Sequence, residues 1–306
     1  MSTKGAPLRP DEHVGYLLRL AYARAEEAAA AVIPSPFHAR DLAVLSVLES
    51  RGPQSQQHLA ELTRVNRTIM VKVVDGLEDR GLVRRGRDPA DRRSYALTPT
   101  RRGRGVLRRL SADMAAGEDL LTANLARPER HRLAALLRRL LDGAKALDVG
   151  APAQLCGYLI THAHHQLRNQ ARERLAQIEL DSRRLGALAA VDEHQPCSQQ
   201  RLAERLAVSA PVVAVLAEEL ADDGLVERAR QRADRRRYDL TLTSKGRQRL
   251  RSGADIINDI DTEIASRLTP AGAAELHQLL AKLLSQPLVD PPNATGPAAR
   301  HLSTEA

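Results

Sequence analysis

Asp91-Arg92-Arg93-Ser94-Tyr95-Ala96-Leu97-Thr98 returns, 143 positions later, as Asp234-Arg235-Arg236-Arg237-Tyr238-Asp239-Leu240-Thr241. The same register carries Ser55-Gln56-Gln57 onto Ser198-Gln199-Gln200, Gly81-Leu82-Val83 onto Gly224-Leu225-Val226, and Gly103 onto Gly246. Nearer the start of each copy the offset is 142, where Gly15-Tyr16-Leu17 meets Gly157-Tyr158-Leu159. A repeat this long is a duplicated domain, not a solenoid unit. The chain has 306 residues, which fits two domains of ~100 to 200 residues each. The expected boundaries are 11–147 and 153–286, with a polar, proline-containing tail over 287–306 expected to be disordered.

The quoted stretch closes a hairpin. Residues 82–85 and 94–97 have strand-like alternation and bracket the polar turn 86–91. Upstream, Ser55 is placed to cap a short helix over 56–62, with a turn at 63–65. Asn66 caps the next helix, expected to run to about Arg80 with Ile69, Val73, Val74 and Leu77 facing inward, and Gly81 ends it as a left-handed cap. This is a helix-turn-helix followed by a wing. Further out, Val14, Leu17, Leu18, Ala21 and Ala25 recur at helical spacing before Pro34 and Pro36, a second helix covers 39–49, and two more cover 99–122 and 128–147. The fold class expected is mainly α with small β-hairpin wings: two winged helix-turn-helix domains forming an intramolecular pseudo-dimer.

Composition agrees with a helical protein packed by aliphatic residues, since aromatics supply 2% and tryptophan is absent. No run approaches the ~18 apolar residues of a membrane span, and the N-terminal residues lack a secretory pattern, so the expected location is cytoplasmic with no membrane partner. Two cysteines imply no disulfide framework. There is no glycine-rich phosphate loop, Gly-x-Ser-x-Gly elbow or His-Glu-x-x-His, which argues against an enzyme and against a bound cofactor.

The net charge of +8 favours an anionic partner. Arg84, Arg85, Arg87, Arg92, Arg93, Arg101, Arg102 and Arg104 crowd the first wing and the start of the helix after it. Arg228, Arg230, Arg232, Arg235, Arg236, Arg237, Lys245, Arg247 and Arg249 crowd the second. A solvated loop explains either cluster alone, but equivalent clusters after two helix-turn-helix patterns point to a surface touching the phosphates of double-stranded DNA. Arg93 and Arg236 are assigned to the minor groove, oriented by Asp91 and Asp234. At the recognition helices and their lead-ins, Ser55, Gln56, Asn66, Arg67, Thr68 and Lys72 are the candidates in copy one, and Ser198, Gln199 and Ser209 in copy two.

These residues carry a family resemblance. Leu59-Ala60-Glu61-Leu62, Gly81-Leu82-Val83, Asp91-x-Arg93, Leu97-Thr98 and Gly103, with their counterparts in copy two, resemble the multiple antibiotic resistance regulator (MarR) family over nearly the whole chain. Most members are single-domain homodimers, and this chain departs by fusing two copies. The resemblance implies terminal helices that form a dimerisation bundle, two winged helices directed at DNA, and a cleft for a small-molecule effector. Candidate lining residues are Tyr16, Phe37, His38 and Arg40 in copy one, and Tyr158, His162, His165 and Arg183 in copy two. It also implies a repressor relieved by ligand, acting here as a monomer that supplies both half-dimers.

Copy two departs at its recognition helix, where Ser209-Ala210-Pro211-Val212-Val213-Ala214-Val215 replaces Asn66-Arg67-Thr68-Ile69-Met70-Val71-Lys72. Proline is tolerated in a first helical turn. The loss of long polar side chains makes this the weaker base reader, with small apolar groups still able to touch thymine methyls, so the expected operator has unequal half-sites about one helical turn apart. An architectural or non-specific DNA binder is the alternative that arginine content alone would satisfy. A thiol-based redox regulator is a second, because Cys156 sits where the resemblance places a peroxide-sensing thiol; a buried structural cysteine is the plainer reading. Metal sensing by His162, His164, His165, His194 and Cys197 has ligand-like spacing but no counterpart in copy one, and no metal site is expected.

Overall fold

The computed structural model describes residues 8–63, 65–87, 95–141, 154–206, 208–230 and 238–288. After a 3₁₀ turn, Pro10–Glu12, the first repeat runs α1 (Val14–Val32), α2 (Ala39–Arg51), α3 (Gln56–Thr63), α4 (Arg67–Asp79), β1 (Val83–Arg87), β2 (Tyr95–Pro99), α5 (Arg101–Leu121) and α6 (Arg127–Leu140). The second repeats that order as α7 (Cys156–Ala176), α8 (Ser182–Glu193), β3 (Cys197–Ser198), α9 (Gln199–Leu206), α10 (Ala210–Asp222), β4 (Val226–Arg230), β5 (Tyr238–Leu242), α11 (Ser244–Leu268) and α12 (Pro270–Leu284). Each wing is an antiparallel pair, Val83 opposite Pro99 in one and Val226 opposite Leu242 in the other. In the second, β3 adds a short third strand beside β5; in the first, the corresponding contact is the single bridge between Gln54 and Leu97. The junction 148–153 and the tail beyond 288 lie outside the described residues.

Local chemistry sets the element ends. Ser55 Oγ accepts from His58 N at 3.1 Å, and Asn66 Oδ1 accepts from Thr68 N at 2.8 Å, so both expected caps form. Gly81 (φ +67°) and Gly224 (φ +68°) turn the chain out of α4 and α10. The amides of Leu82 and Leu225 then donate back to the Leu77 and Leu220 carbonyls, each at 2.8 Å, which is a Schellman closure. The inward face of α4 is Met70, Val73, Val74 and Leu77. Ile69 was expected there but is 44% exposed. The 3-1-3 spacing of a core stripe selects Met70, and position 69 falls about 100° away around the helix.

The cores are aliphatic. Leu42, Leu45 and Leu48 of α2 close on Leu59 and Leu62 of α3, Val74 and Leu77 of α4, and Leu82 and Leu97 of the wing. The second repeat builds its own core from Leu185, Leu188 and Val191 of α8, Leu202 of α9, Leu216 and Leu220 of α10, and Leu225, Leu240 and Leu242. Each fully buried leucine contributes ~1.5 to 3 kcal/mol relative to exposure. Behind each wing, a threonine and a glycine lock strand to helix. Thr100 Oγ1 donates to the Gly81 carbonyl at 2.7 Å and accepts from Gly103 N at 3.0 Å. Thr243 repeats this with Gly224 at 2.7 Å and Gly246 at 2.9 Å.

The compact units are not the sequence repeats. One comprises Met1–Tyr16 with Gln166–Ser266, the other Leu17–His165 with Arg267–Ala306, so each combines segments of both repeats. Within the larger unit, α6 packs along α12. Asn124 Nδ2 donates to the Leu283 carbonyl at 3.2 Å, and Arg267 Nη1 donates to the Leu140 carbonyl at 3.2 Å. These are one contact with the repeats exchanged, because position 124 corresponds to 267 and 140 to 283. Arg132 Nε meets Glu275 Oε1 at 2.8 Å, and these two positions correspond to each other. Such reciprocity is the mark of a two-fold contact, here made within one chain. In the same unit, Glu118 accepts from the first amides of α7, Cys156 N at 2.7 Å and Gly157 N at 3.0 Å. In the smaller unit the corresponding Asp261 meets His13 Nδ1 at 2.6 Å, and Leu8 packs on the second core.

Candidate nucleic-acid interface

A recognition helix works by presenting its N-terminal turns while its other face is clamped to a core. In the first repeat Asn66, Arg67, Thr68, Ile69, Val71 and Lys72 are exposed around the first two turns of α4. Gln56 is partly buried at the start of α3, and the oxygens of Ser55 and Asn66 serve as caps while their donor groups remain for other partners. In the second repeat Ser198 Oγ caps α9 through Arg201 N at 3.2 Å, and Ser209 precedes α10 with no side-chain cap bond. Gln199 Nε2 is buried without a partner among the described residues. Pro211 lies in the first turn of α10, which continues unbroken to Asp222.

The arginine-rich stretches divide into two kinds. Arg85 reaches back to the recognition helix, pairing with Asp75 at 2.5 Å and Glu78 at 2.8 Å, and its counterpart Arg228 pairs with Glu218 at 3.5 Å. These two guanidiniums bind wing to helix, so the reading of the whole cluster as phosphate contact is corrected for them: carboxylates of the recognition helices engage both arginines. Arg84 donates to Thr98 Oγ1 at 3.1 Å, Arg104 to the Pro99 carbonyl at 3.1 Å, Arg247 to the Leu242 carbonyl at 2.7 Å, and Lys245 to the Asp223 carbonyl at 2.7 Å. Arg249 pairs with Glu179 at 2.7 Å. Arg87 and Arg230, at the outer ends of β1 and β4, lie over Tyr95 and Tyr238 with guanidinium carbons 5.0 and 6.0 Å from the ring centroids, and Arg228 lies nearer Tyr238, at 4.5 Å. The wing-tip candidates Asp91, Arg92, Arg93, Arg232, Asp234, Arg235, Arg236 and Arg237 lie outside the described residues.

The effector candidates do not group by repeat. Phe37 and Tyr158 both pack on the first core, the latter from α7 of the second repeat. His162, one turn along α7, stacks on Tyr158 at 4.0 Å and has Nε2 3.2 Å from the Leu62 carbonyl of α3. Tyr158 and His162, from the start of α7 in the second repeat, thus lie beside residues of the first core. His38 N donates to Asp41 Oδ2 at 3.2 Å and starts α2, Arg40 is exposed, and Tyr16 and Arg183 belong to the other unit. His165 stands edge-on to Tyr22 at 5.3 Å. A latch sits beside Phe37: Arg80, at the end of α4, lies over its ring at 5.1 Å, meets buried Asp41 at 3.1 Å and donates to the Gly76 carbonyl at 2.7 Å.

Neither cysteine is a poised thiolate. Cys156 is 2% exposed, its Sγ faces the Arg130 carbonyl at 3.6 Å, and burial followed by the charge of Glu118 pushes its thiol far up from the ordinary value. Burial likewise raises Cys197. The redox candidate is corrected on that ground, since a reactive thiol needs exposure and a lowered pKa. Among the described residues no group of three or more His, Cys, Asp or Glu is placed to hold a metal ion. Sequence spacing missed Thr100 and Thr243, although their fixed distance ahead of Gly103 and Gly246 recurs in both copies. It also missed Glu118 and Asp261, whose partners are remote in sequence.

The MarR family profile matches residues 38–95, and a second profile with the same family description matches residues 179–237. Both repeats are MarR-family domains. This tandem MarR chain is 37% identical over 97 residues to a transcriptional regulatory protein for the hcr operon of Thauera aromatica, a match spanning 32% of this chain and 58% of that one. It is 33% identical over 87 residues to the HTH-type transcriptional regulator BilQ of Clostridium symbiosum, spanning 28% of this chain and 60% of the relative. The chain thus matches under two thirds of the length of these relatives. Among solved structures it is similar to Bordetella bronchiseptica BpsR, described with regulation of its DNA binding by 6-hydroxynicotinic acid, at 29% identity and a TM-score of 0.43, covering 45% of this chain and 99% of that one. No helix among the described residues is long and apolar enough to cross a membrane.

Proposed function

We propose that this tandem MarR chain is a sequence-specific transcriptional regulator of double-stranded DNA, a cytoplasmic repressor that occludes a promoter. One recurring arrangement carries the reading. Each repeat clamps a recognition helix from behind by an aliphatic core, presents its first turns to solvent, and ties it to a wing through an arginine, Arg85 or Arg228. The two repeats differ in what they present. α4 offers Arg67, Thr68 and Lys72; α10 offers alanine, proline and valine. The operator therefore has two half-sites about one helical turn apart and unequally specified, and a single chain supplies both readers.

Relief by a small molecule is assigned to the surroundings of Phe37, Tyr158 and His162. A ligand that displaces Phe37 also loosens Arg80, and Arg80 is the residue joining the end of α4 to α2. Selection of bound sequences from random duplexes at physiological salt, run beside Arg93→Ala and Arg236→Ala, tests the central reading. The expected result is an enriched two-part site, sharper in one half, with both substitutions weakening binding. Tight, salt-sensitive binding with no enrichment would replace it with an architectural role.

A further inference from the structure

Among the described residues the large hydrophobic side chains left exposed are Ile69, Val71, Tyr95, Val208, Val212 and Val215. All six lie on a recognition helix, its lead-in or a wing. Two of them, Ile69 and Val212, occupy the same register position in the two repeats. Neither packing nor helix propensity accounts for the valines on α10. The inward face is already filled by Val213, Leu216 and Leu220, while Val212 and Val215 are 40% and 54% exposed. Valine at an exposed helical site is also a poorer helix former than alanine.

The charge on α10 says which end meets DNA. Its first two turns carry no ionised side chain, and its acidic residues, Glu218, Glu219, Asp222 and Asp223 at the C-cap, fall in its second half and just beyond. The N-terminal end, with its unpaired amides and positive helix dipole, can enter a groove lined by phosphates, and the acidic end is repelled from it. Val212 and Val215 are three apart and share a face. They cannot donate or accept a hydrogen bond. In the major groove the feature such a face can recognise is the C5-methyl group of thymine.

We infer, resting on the DNA-binding reading above, that Ile69 and Val212 each contact a thymine C5-methyl in their half-site, and that the second recognition helix reads its major groove by such contacts alone, through Val212 and Val215. The first half-site adds hydrogen bonds from the polar residues of α4. At the second, α10 reads a pattern of methyl groups.

Replacing thymine by deoxyuridine removes that methyl and leaves pairing and every hydrogen-bonding group intact. The experiment takes the duplex selected by the full chain, substitutes uracil in one half-site at a time, and measures affinity for wild type and for the Val212→Ala/Val215→Ala variant. For wild type, uracil in the second half-site is expected to weaken binding about fourfold per contacted methyl. In the variant this penalty disappears, while its affinity for the uracil duplex stays within about twofold of wild type, the signature of a coupled pair. An unchanged melting temperature confirms that these exposed substitutions leave the fold intact. Equal wild-type affinity for thymine and uracil duplexes, with specific binding retained, overturns the methyl reading alone. Failure of any duplex to be enriched overturns the DNA-binding reading beneath it.

Discussion

Arg87 and Tyr95 stand directly opposite each other across the first wing, and the guanidinium lies over the ring at 5.0 Å. Arg230 and Tyr238 stand likewise in register in the second wing, at 6.0 Å, where Arg228 lies closer over the same ring at 4.5 Å. An arginine at the end of a strand has many rotamers, and a ring facing it from the partner strand limits them at little cost, since an exposed cation–π contact is worth ~0.5 to 1 kcal/mol. Arg87→Ala is expected to weaken DNA binding and reduce the slope of log affinity against log salt by about one, as for one lost phosphate contact. Tyr95→Ala should weaken binding about two- to fivefold and Tyr95→Phe should not, because the ring alone does the positioning. Titrations at several salt concentrations check both.

Gly103 and Gly246 admit no side chain. A Cβ on either would lie 2.0 or 1.9 Å from the carbonyl oxygen of Leu82 or Leu225, and that oxygen is fixed by the turn out of the recognition helix. Gly103→Ala is expected to cost ~1 to 3 kcal/mol through backbone displacement, with a visible fall in melting temperature. Gly105→Ala, where nothing lies within 4 Å, is the control and should be neutral or slightly stabilising.

Thr100→Val keeps the shape of the side chain and loses the hydrogen bonds of its hydroxyl to the Gly81 and Leu82 carbonyls and from Gly103 N. The expected cost is ~1 to 2 kcal/mol, measured by urea denaturation, and Thr243→Val should behave alike in the second repeat. A cost at one position only would show that the two wings are not held by the same device.

The Glu129 carboxylate accepts from Lys282 Nζ at 2.6 Å and from Ala126 N at 2.7 Å, and these bonds hold its pKa below the usual glutamate value. Because the folded pKa is depressed, the contribution is present above the ordinary value of about 4.3 and is lost as pH falls through the folded one. Glu129→Gln should therefore lower the urea midpoint at neutral pH and shrink the drop between neutral and acidic pH. An unchanged pH profile would remove Glu129 from the acid response.

Native Cys156 and Cys197 should resist thiol reagents at mildly alkaline pH and label only as the chain unfolds, because burial raises both thiols. Rapid labelling of Cys156 in the folded chain would restore it as a sensor candidate.

Much of the fold was legible because its punctuation is local. Ser55, Asn66 and Gly81 act within a few residues of themselves, so sequence placed the helix ends around them correctly. Ile69 was misassigned because an apolar residue on a recognition helix is ambiguous: the same side chain serves a core or a groove, and only the phase set by Met70, Val73 and Leu77 decides. The arginine stretch was over-read for a related reason. Composition counts charges but cannot tell that Asp75 and Glu78 lie within reach of Arg85. The packing of terminal helices from both repeats was expected from the resemblance, but its individual pairs escaped, since nothing near Cys156 in sequence announces Glu118 as the partner of its amide.

The contact between Arg132 and Glu275 joins two positions that are the same position in the two repeats. In a dimer of identical chains the residue at such a place meets itself, and an arginine there would face an arginine. Only after the halves are free to differ can that spot hold opposite charges. Like charges meeting at such a spot would repel, and opposite charges attract. In this chain the two positions have diverged, so that the spot holds arginine against glutamate.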